Sequence, residues 1–201
     1  MVWLRWDKSK QKPVRIIAGK YRGRNLKGPP SLQVRPTSDR LRETLFNVIA
    51  PRIEDSRFLD LCAGSGAVGI EALSRGAAHS TFVDRSRKMG ALVEANLDLC
   101  GIPGDQTNVV QADAGEFLRQ SVSRNLDSWD IVFFDPPYAS DYLGILQLLG
   151  SNTAELLSER GLVIVEHYHK NQLPDVVESI RRNRVLKQGD SSLSFYERAE
   201  G

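Results

Sequence analysis

The sequence has few of the residues that form disulfide frameworks or metal sites. Its 201 residues include two cysteines, Cys62 and Cys100, and three histidines, His79, His167 and His169. Two cysteines cannot build a disulfide framework, so the composition favours a reducing cytoplasm. The histidines have no set of further ligand residues around them, and we therefore expect no bound metal.

Long apolar segments are missing too. No stretch approaches the roughly 18 residues that a membrane helix needs, and the first ten residues contain no apolar run of signal-peptide length. We therefore expect no membrane partner. Hydrophobic residues make up 41% and charged residues 26% of the sequence, which suits a globular fold with a buried core.

Acidic residues are scarce at the N-terminal end. Residues 1–52 hold 13 Lys or Arg against 3 Asp or Glu, a net charge of +10, whereas residues 53–201 hold 14 against 22, a net charge of −8. This asymmetry predicts two parts: a basic extension over 1–52 and a folded domain over 53–201. A basic arm on an acidic body indicates a polyanionic partner such as nucleic acid, although a solvated, partly disordered tail would have the same composition.

Apolar runs alternate with helix-like segments through most of the chain. The runs lie at 57–62, 79–84, 107–113, 129–135 and 161–168, and the helix-like segments at 67–75, 86–100, 114–124 and 140–158. This alternation predicts an α/β fold with a doubly wound, mostly parallel sheet. Two runs at 183–188 and 192–198, split by Gly189-Asp190, predict a closing hairpin with an antiparallel strand.

The basic extension has its own pattern. Residues 1–13 are expected to be a disordered tail, and residues 14–27 a small β-hairpin with glycines at its turn. A helix is expected to begin near Thr37-Ser38-Asp39, because these short polar side chains cap helix starts. Its apolar stripe is Leu41, Leu45, Val48 and Ile49, and Pro51 is expected to end it.

Gly64, Gly66 and Gly69 form a G-x-G-x-x-G turn between a predicted strand and a predicted helix. Such a turn lets a ligand approach the backbone, but nicotinamide and flavin proteins use it as well, and the glycines could serve packing alone. Cys62, just before the turn, is expected to be a small core residue rather than a nucleophile.

Three acids at strand ends favour a particular ligand. Asp60 precedes the turn by four residues, and a carboxylate there would repel pyrophosphate but attract the sulfonium and ammonium of S-adenosylmethionine. Asp84, twenty residues beyond Gly64, is placed to bind ribose hydroxyls. Asp113 could accept from an adenine amino group, with Ala114 presenting its backbone N–H.

Asp135-Pro136-Pro137-Tyr138 closes the apolar run at 129–134 and suits a planar amine. The Asp135 carboxylate and the Pro136 carbonyl could each accept one amine hydrogen, which would localise the nitrogen lone pair. Consecutive prolines fix φ near −65° and hold that carbonyl rigidly. Tyr138 offers a face on which a base can stack, worth roughly 1–3 kcal/mol in other systems. The alternative is a Pro-Pro turn with Tyr138 only packing.

Together these segments resemble the class I S-adenosylmethionine-dependent methyltransferases, and more closely the bacterial family that methylates a guanine N2 in 16S ribosomal RNA of the small subunit. The resemblance runs from about Arg15 to Arg198. Its carriers are RIIAGKYRGR at 15–24, RPTSDRLRE at 35–43, LDLCAGSG at 59–66, EALSRGA at 71–77 and DPPY at 135–138.

The resemblance implies a seven-stranded, Rossmann-like methyltransferase domain over 53–201 and S-adenosylmethionine as cofactor. It implies cofactor contacts at Thr37, Asp60, Ala63, Gly64, Ser65, Gly66, Asp84, Asp113 and Ala114. It implies catalytic contacts to the target base at Asp135, Pro136, Pro137 and Tyr138, and RNA contacts at Arg15, Lys20, Arg22, Arg24 and Arg35. The implied partner is ribosomal RNA in a small-subunit assembly particle, bound by a monomer.

Three alternatives stay open at the level of sequence. A methyltransferase acting on adenine N6 or cytosine N4 of RNA or DNA would use the same amine chemistry. A dinucleotide-dependent oxidoreductase would share the glycine turn. An RNA-binding module without catalytic activity would share the basic arm.

Overall fold

The computed structural model describes residues 14–29, 38–124, 126, 128–137 and 141–199. The strands are β1 (Val14–Arg15), β2 (Asn25–Leu26), β3 (Arg57–Leu61), β4 (His79–Asp84), β5 (Thr107–Gln111), β6 (Trp129–Phe134), β7 (Leu157–Tyr168), β8 (Val176–Val177), β9 (Ile180–Gln188) and β10 (Ser191–Arg198). The helices are α1 (Asp39–Ile53), α2 (Ala67–Ser74), α3 (Arg87–Cys100), α4 (Ala114–Ser123), α5 (Tyr142–Ser151) and α6 (Thr153–Leu156).

One mixed sheet organises the fold. Its strand order is β5-β4-β3-β6-β7-β10-β9-β8, and the strands from β5 to β7 run parallel to one another. Strand β10 lies antiparallel between β7 and β9. Helices α1, α2 and α3 pack on one face of this sheet, and α4, α5 and α6 pack on the other. One apolar cluster lies beneath each set of three helices. The predicted doubly wound, mostly parallel sheet with an antiparallel strand is therefore confirmed.

The expected number of seven strands is wrong, because this sheet has eight within the described part of the chain. The additional strand is the two-residue β8 at the edge, in which Val177 pairs with Ile180. Val177 is buried in the apolar cluster beneath α5, and this burial keeps the short segment against β9.

Two further boundaries differ from expectation. Helix α1 begins after Ser38, whose hydroxyl accepts a hydrogen bond from Leu41 N–H at 3.2 Å, but it continues past Pro51 to Ile53. The missing proline N–H removes one helical hydrogen bond, and burial of Ile53 offsets that loss. The predicted helix at 140–158 is two helices, because Asn152 leaves helical geometry at φ −125° and ψ 39°, and β7 already starts at Leu157.

The predicted N-terminal hairpin is present as the antiparallel pair β1 and β2. Its buried residues Ile16 and Tyr21 belong to the same apolar cluster as Phe46 of α1 and Phe58 of β3. The apolar core therefore contains residues from both sides of position 52. The division of the chain into 1–52 and 53–201 stays a prediction. No helix within the described ranges is both long and apolar enough to span a membrane.

Glu71 fixes the hairpin to helix α2 through buried polar contacts. Its fully buried carboxylate accepts hydrogen bonds from the backbone N–H groups of Ile17 at 2.8 Å and Ala18 at 3.0 Å. It also accepts one from Arg75 Nε at 2.8 Å and lies 3.8 Å from Nε of the equally buried Arg42. Two backbone donors and two guanidinium groups thus lie against one carboxylate.

Ser74, at the end of α2, holds the hairpin loop. Its hydroxyl accepts from Tyr21 N–H at 3.0 Å and donates to the Ala18 carbonyl at 2.5 Å, while its own carbonyl accepts from Lys20 N–H at 2.7 Å. A Cβ at Gly19 would lie 1.7 Å from the Ser74 carbonyl oxygen, so only glycine fits there. The hairpin therefore packs directly on the helix that follows the glycine turn.

Replacing Glu71 with alanine should lower the free energy of unfolding by about 3–5 kcal/mol, because Arg42 would lose a buried partner and two N–H groups would lose their acceptor. Urea denaturation measures this loss. The matched control is Glu94→Ala on the exposed side of α3, which should change stability by no more than about 0.5 kcal/mol. Equal losses in the two variants would contradict the role given to Glu71.

Candidate functional site

The two sequence motifs meet at the centre of the sheet. The strand order reverses between β3 and β6, which are parallel neighbours, and Leu61 of β3 pairs in register with Phe134 of β6. Beyond these ends, Asp135 N–H donates to the Leu61 carbonyl at 3.3 Å. The glycine turn and the proline motif therefore start side by side at the topological switch point, where open α/β sheets bind ligands.

The glycine turn connects β3 to α2. Gly64 and Gly66 have φ values of 55° and 75°, and Gly66 directly precedes the helix. Gly69 serves a different purpose, since a Cβ there would lie 2.3 Å from Cε1 of Phe82 on β4. The first two glycines thus shape the turn, and the third lets α2 pack closely on the sheet.

Two backbone N–H groups here, one in the turn and one in α2, already donate hydrogen bonds to carboxylates. Oδ2 of Asp84 accepts from Gly64 N–H at 3.0 Å, and its Oδ1 accepts from Ser86 N–H at 2.8 Å. Oδ2 of Asp60 accepts from Gly69 N–H at 3.0 Å in the first turn of α2. Dinucleotide-binding proteins use donors of this kind for pyrophosphate. Here protein carboxylates already accept from them, so the turn is suited to a cationic ligand rather than a phosphate.

A cavity of about 630 Å³ opens between α4 and α5, from Asp113 at the start of α4 to Ser151 at the end of α5. Its wall includes Asp113, Ala114 and Pro136, three residues predicted from sequence, together with Cys62. Asp113 caps α4, since its Oδ1 accepts hydrogen bonds from Gly115 N–H at 3.0 Å and from Glu116 N–H at 3.3 Å. The volume lies in the range of small-molecule sites.

Several negative charges around this crevice act on the thiol of Cys62. Burial raises the pKa of its thiol to about 12, and the charges of Asp84, Asp135, Asp60 and Asp113 add to the rise. Four carboxylates therefore act on one point. The thiol stays protonated at neutral pH, which agrees with the expectation of no nucleophilic role. Cys62 packs against the apolar cluster beneath α4 and α5, as expected of a core residue, but it is also partly exposed on the cavity wall, with φ at 66°.

Asp60 is the most deeply buried of these acids, with 2% of its surface exposed. Burial raises the pKa of its carboxyl group to about 7, the Gly69 N–H lowers it in part, and the charge of Asp84 raises it. Asp60 is thus only partly ionised near neutral pH. A cation bound nearby would favour its charged form.

The remaining predicted cofactor residues contribute backbone to the turn. Ala63 N–H donates to the Val83 carbonyl at 3.0 Å, and the Ser65 carbonyl accepts from Nδ2 of Asn96 at 2.9 Å. Pro137 is exposed next to the buried Pro136. Thr37, Arg35 and Tyr138 lie outside the described residues.

Sequence reasoning missed three charged cavity residues, Arg85, Arg119 and Asp141. Arg85 follows Asp84 at the same strand end, and this position is the signal that could have found it. Asp141 caps α5 by accepting from Gly144 N–H at 2.8 Å. Arg119 projects from the middle of α4, where nothing in the sequence pattern distinguishes it from a solvated helix residue.

The predicted RNA contacts in the hairpin are all on the surface. Arg15, Lys20, Arg22 and Arg24 are exposed. Two of them also have ion-pair or hydrogen-bond partners in the protein: Arg15 lies 3.5 Å from Asp39, and Arg24 Nη1 donates to the Leu99 carbonyl at 3.0 Å. The hairpin therefore presents a basic surface that is attached to the body of the protein by polar contacts.

Comparison with known proteins identifies the family. The family described as Conserved hypothetical protein 95 matches residues 14–197. This chain belongs to that family. Ribosomal RNA small subunit methyltransferase D of Escherichia coli (strain K12) is 39% identical over 186 residues, which cover 92% of this chain and 90% of that protein.

Two further relatives agree. YlbH of Bacillus subtilis (strain 168) is 35% identical over 185 residues, covering 92% of this chain and 99% of its own. The solved structure of yhhF from Escherichia coli has a TM-score of 0.78 and 36% identity, and covers 94% of this chain and 100% of that one. The chain is a methyltransferase with a Rossmann-like fold. The four carboxylates around Cys62 suit the positive charge of S-adenosylmethionine, the cofactor expected from the sequence.

The affinity for S-adenosylmethionine should increase as the pH rises through about 7, the pKa of Asp60. A cation bound near Asp60, as the sequence predicts, would favour the ionised carboxylate, so binding below that pH would release a proton. Isothermal titration calorimetry at constant ionic strength measures both the affinity and the proton release. The Asp60→Asn variant should lose this part of the pH dependence, and an unchanged pH profile in that variant would contradict the assignment.

Proposed function

We propose that this chain transfers the methyl group of S-adenosylmethionine to the exocyclic N2 amine of a guanine in small-subunit (16S) ribosomal RNA. The observation that carries the proposal is the 3.3 Å hydrogen bond from Asp135 N–H to the Leu61 carbonyl. It supports a geometry in which the amine-binding motif and the cofactor turn line one crevice.

The target amine needs acceptors because its lone pair is delocalised into the base. We assign one amine hydrogen to the Asp135 carboxylate and the other to the Pro136 carbonyl. Pro136 and Pro137 have no N–H and a fixed φ, so the chain at this carbonyl loses little freedom on binding. Tyr138 is proposed to stack on the guanine. The bound cofactor supplies the electrophilic methyl group on a positively charged sulfur.

Positioning, rather than strong acid-base chemistry, is the task that this arrangement performs. Positive charge disperses as the methyl group moves, so alignment and exclusion of water matter most. Asp135 can hold the amine as an acceptor, and the amine proton can leave after transfer. The buried Pro136 and the apolar end of β6 at Phe134 exclude water on one side of the crevice.

The choice of RNA rests on two supports. One is the relative named Ribosomal RNA small subunit methyltransferase D, which matches this chain over 92% of its length. The other is the exposed basic hairpin, which adjoins the turn through α2. We propose that Thr37 lies at the methionine end of the cofactor, that Arg35 joins the hairpin residues in binding RNA, and that a monomer acts in the cytoplasm on a small-subunit assembly particle.

Replacing Asp135 with alanine should lower the transfer rate about 10²- to 10³-fold while leaving the affinity for S-adenosylmethionine nearly unchanged, because the variant lacks the carboxylate assigned to accept from the amine. Single-turnover transfer of labelled methyl groups and calorimetric titration measure the two quantities. Asp105→Ala, on the exposed 3₁₀ turn before β5, is the matched control and should retain full activity. An equal fall in rate and cofactor affinity would place Asp135 in the cofactor site instead.

The methylated product identifies the base. Nucleoside mass spectrometry of ribosomal RNA from cells with and without this gene should show loss of N2-methylguanosine from the small subunit. Loss of N6-methyladenosine or N4-methylcytidine would overturn the guanine assignment but keep the amine chemistry. An unchanged set of modified nucleosides would refute the proposed function.

The double variant Lys20→Gln/Arg22→Gln should bind ribosomal RNA more weakly, and the slope of log affinity against log salt should fall by about 0.7 for each lost phosphate contact. Fluorescence anisotropy over a series of salt concentrations measures that slope. Arg181→Gln is the control, since this exposed residue lies on β9 near the opposite edge of the sheet. Equal slopes for the double variant and the wild type would contradict the role of the hairpin.

A further inference from the structure

Asn96 on α3 joins the basic hairpin to the cofactor turn. Its side chain is fully buried and makes three hydrogen bonds. Oδ1 accepts from Lys27 N–H at 2.8 Å, and Nδ2 donates to the Lys27 carbonyl at 3.0 Å and to the Ser65 carbonyl at 2.9 Å. Lys27 directly follows β2 of the hairpin, and Ser65 stands between the two glycines of the turn. One amide therefore touches both parts of the site.

The three partners determine the orientation of this amide. Two of them are carbonyl oxygens, which need a donor, and the third is an N–H, which needs an acceptor. A reversed amide would face both carbonyls with its oxygen. An aspartate at this position could keep the bond from Lys27 N–H but would repel both carbonyls.

The contact fixes the peptide unit between Ser65 and Gly66. Its carbonyl is bound by Asn96, and its N–H donates to the Ala63 carbonyl at 2.8 Å. Both polar ends of this peptide are thus held, which sets the shape of the turn at Gly66, where φ is 75°. Without Asn96, the carbonyl end would lose its buried partner and the turn would gain freedom to rotate.

The hairpin is fixed to α3 at more than one place. Besides Lys27 on Asn96, Arg24 Nη1 donates to the Leu99 carbonyl one turn further along α3. Leu26 between them is buried, with 4% of its surface exposed. Restraint of the hairpin by a bound molecule therefore reaches Asn96 through a short, packed segment.

We infer that Asn96 is a positioning residue that couples the hairpin to the cofactor turn, so that RNA and S-adenosylmethionine each strengthen the binding of the other. RNA that immobilises the hairpin fixes Lys27, which holds the Asn96 amide and through it the Ser65 peptide. A turn already held loses less conformational freedom when the cofactor binds. The coupling must be equal in both directions. This inference rests on the proposed function, because it takes RNA as the ligand of the hairpin.

The test compares the Kd of S-adenosylmethionine with and without saturating small-subunit ribosomal RNA. The wild type should bind the cofactor at least about fivefold more tightly with RNA present, the lower end of usual coupling strengths. Asn96→Leu and Asn96→Asp should show the same Kd in both conditions. Asn152→Leu, which removes one hydrogen bond to the Leu148 carbonyl far from the hairpin, should keep the coupling of the wild type.

Hydrogen exchange on the wild type tests the same claim without a substitution. RNA should slow exchange in peptides covering 62–70, and S-adenosylmethionine alone should slow exchange in peptides covering 24–28. Coupling that survives in the Asn96 variants, or wild-type exchange that changes only at the bound site, would overturn the inference. Failure of the wild type to bind ribosomal RNA at all would instead refute the proposed function, so the two failures are distinguishable.

Discussion

The parallel pairing of β3 with β6 is the constraint on which the site depends. Adjacent strands lie about 4.8 Å apart, and Leu61 stands opposite Phe134, so the segments after them leave the sheet at the same level. A shift of one residue would turn Asp135 to the other face of the sheet. The apolar clusters on both faces resist such a shift. The buried side chains of the shifted strand would move to the opposite face, where the other cluster is packed for different side chains. The geometry of the crevice is therefore maintained by the core.

A second group of contacts attaches the hairpin to that frame, and it is polar rather than apolar. Glu71 and Ser74 of α2 bind the loop of the hairpin, and Asn96 of α3 binds its end. Removing one partner of such a buried contact lowers the stability of the fold, because the other polar group is left buried without a hydrogen-bond partner. Hydrophobic side chains of similar size could stabilise the hairpin equally, but they would not fix the position of a backbone carbonyl in the glycine turn. The polar contacts thus suit a hairpin whose position relative to the cofactor matters.

The sequence predicted those parts of the molecule that follow from periodicity and from short motifs. Apolar runs located β3, β4, β5 and β6, and the glycine spacing located the turn. The edge strand β8 was missed because two valines carry no periodic signal, and the extension of α1 beyond Pro51 was missed because burial of Ile53 is a tertiary effect. Glu71 and Asn96 were missed for the same reason. A polar residue within a helix normally faces solvent, and only the assembled fold shows that these two are buried.

The carboxylates around the turn explain why one glycine pattern can serve different cofactors. A helix N-terminus attracts anions when its N–H groups are available. In this chain Asp60 accepts from Gly69 N–H in the first turn of α2, and Asp84 accepts from Gly64 N–H in the loop before it, so donors of the helix and of the loop stabilise protein carboxylates. The raised pKa of Asp60 shows that this compensation is incomplete. The excess negative charge is then available to a cation. A pyrophosphate would have to displace these carboxylates and lie beside them, which argues against the oxidoreductase alternative on electrostatic grounds that the glycine pattern alone could not provide.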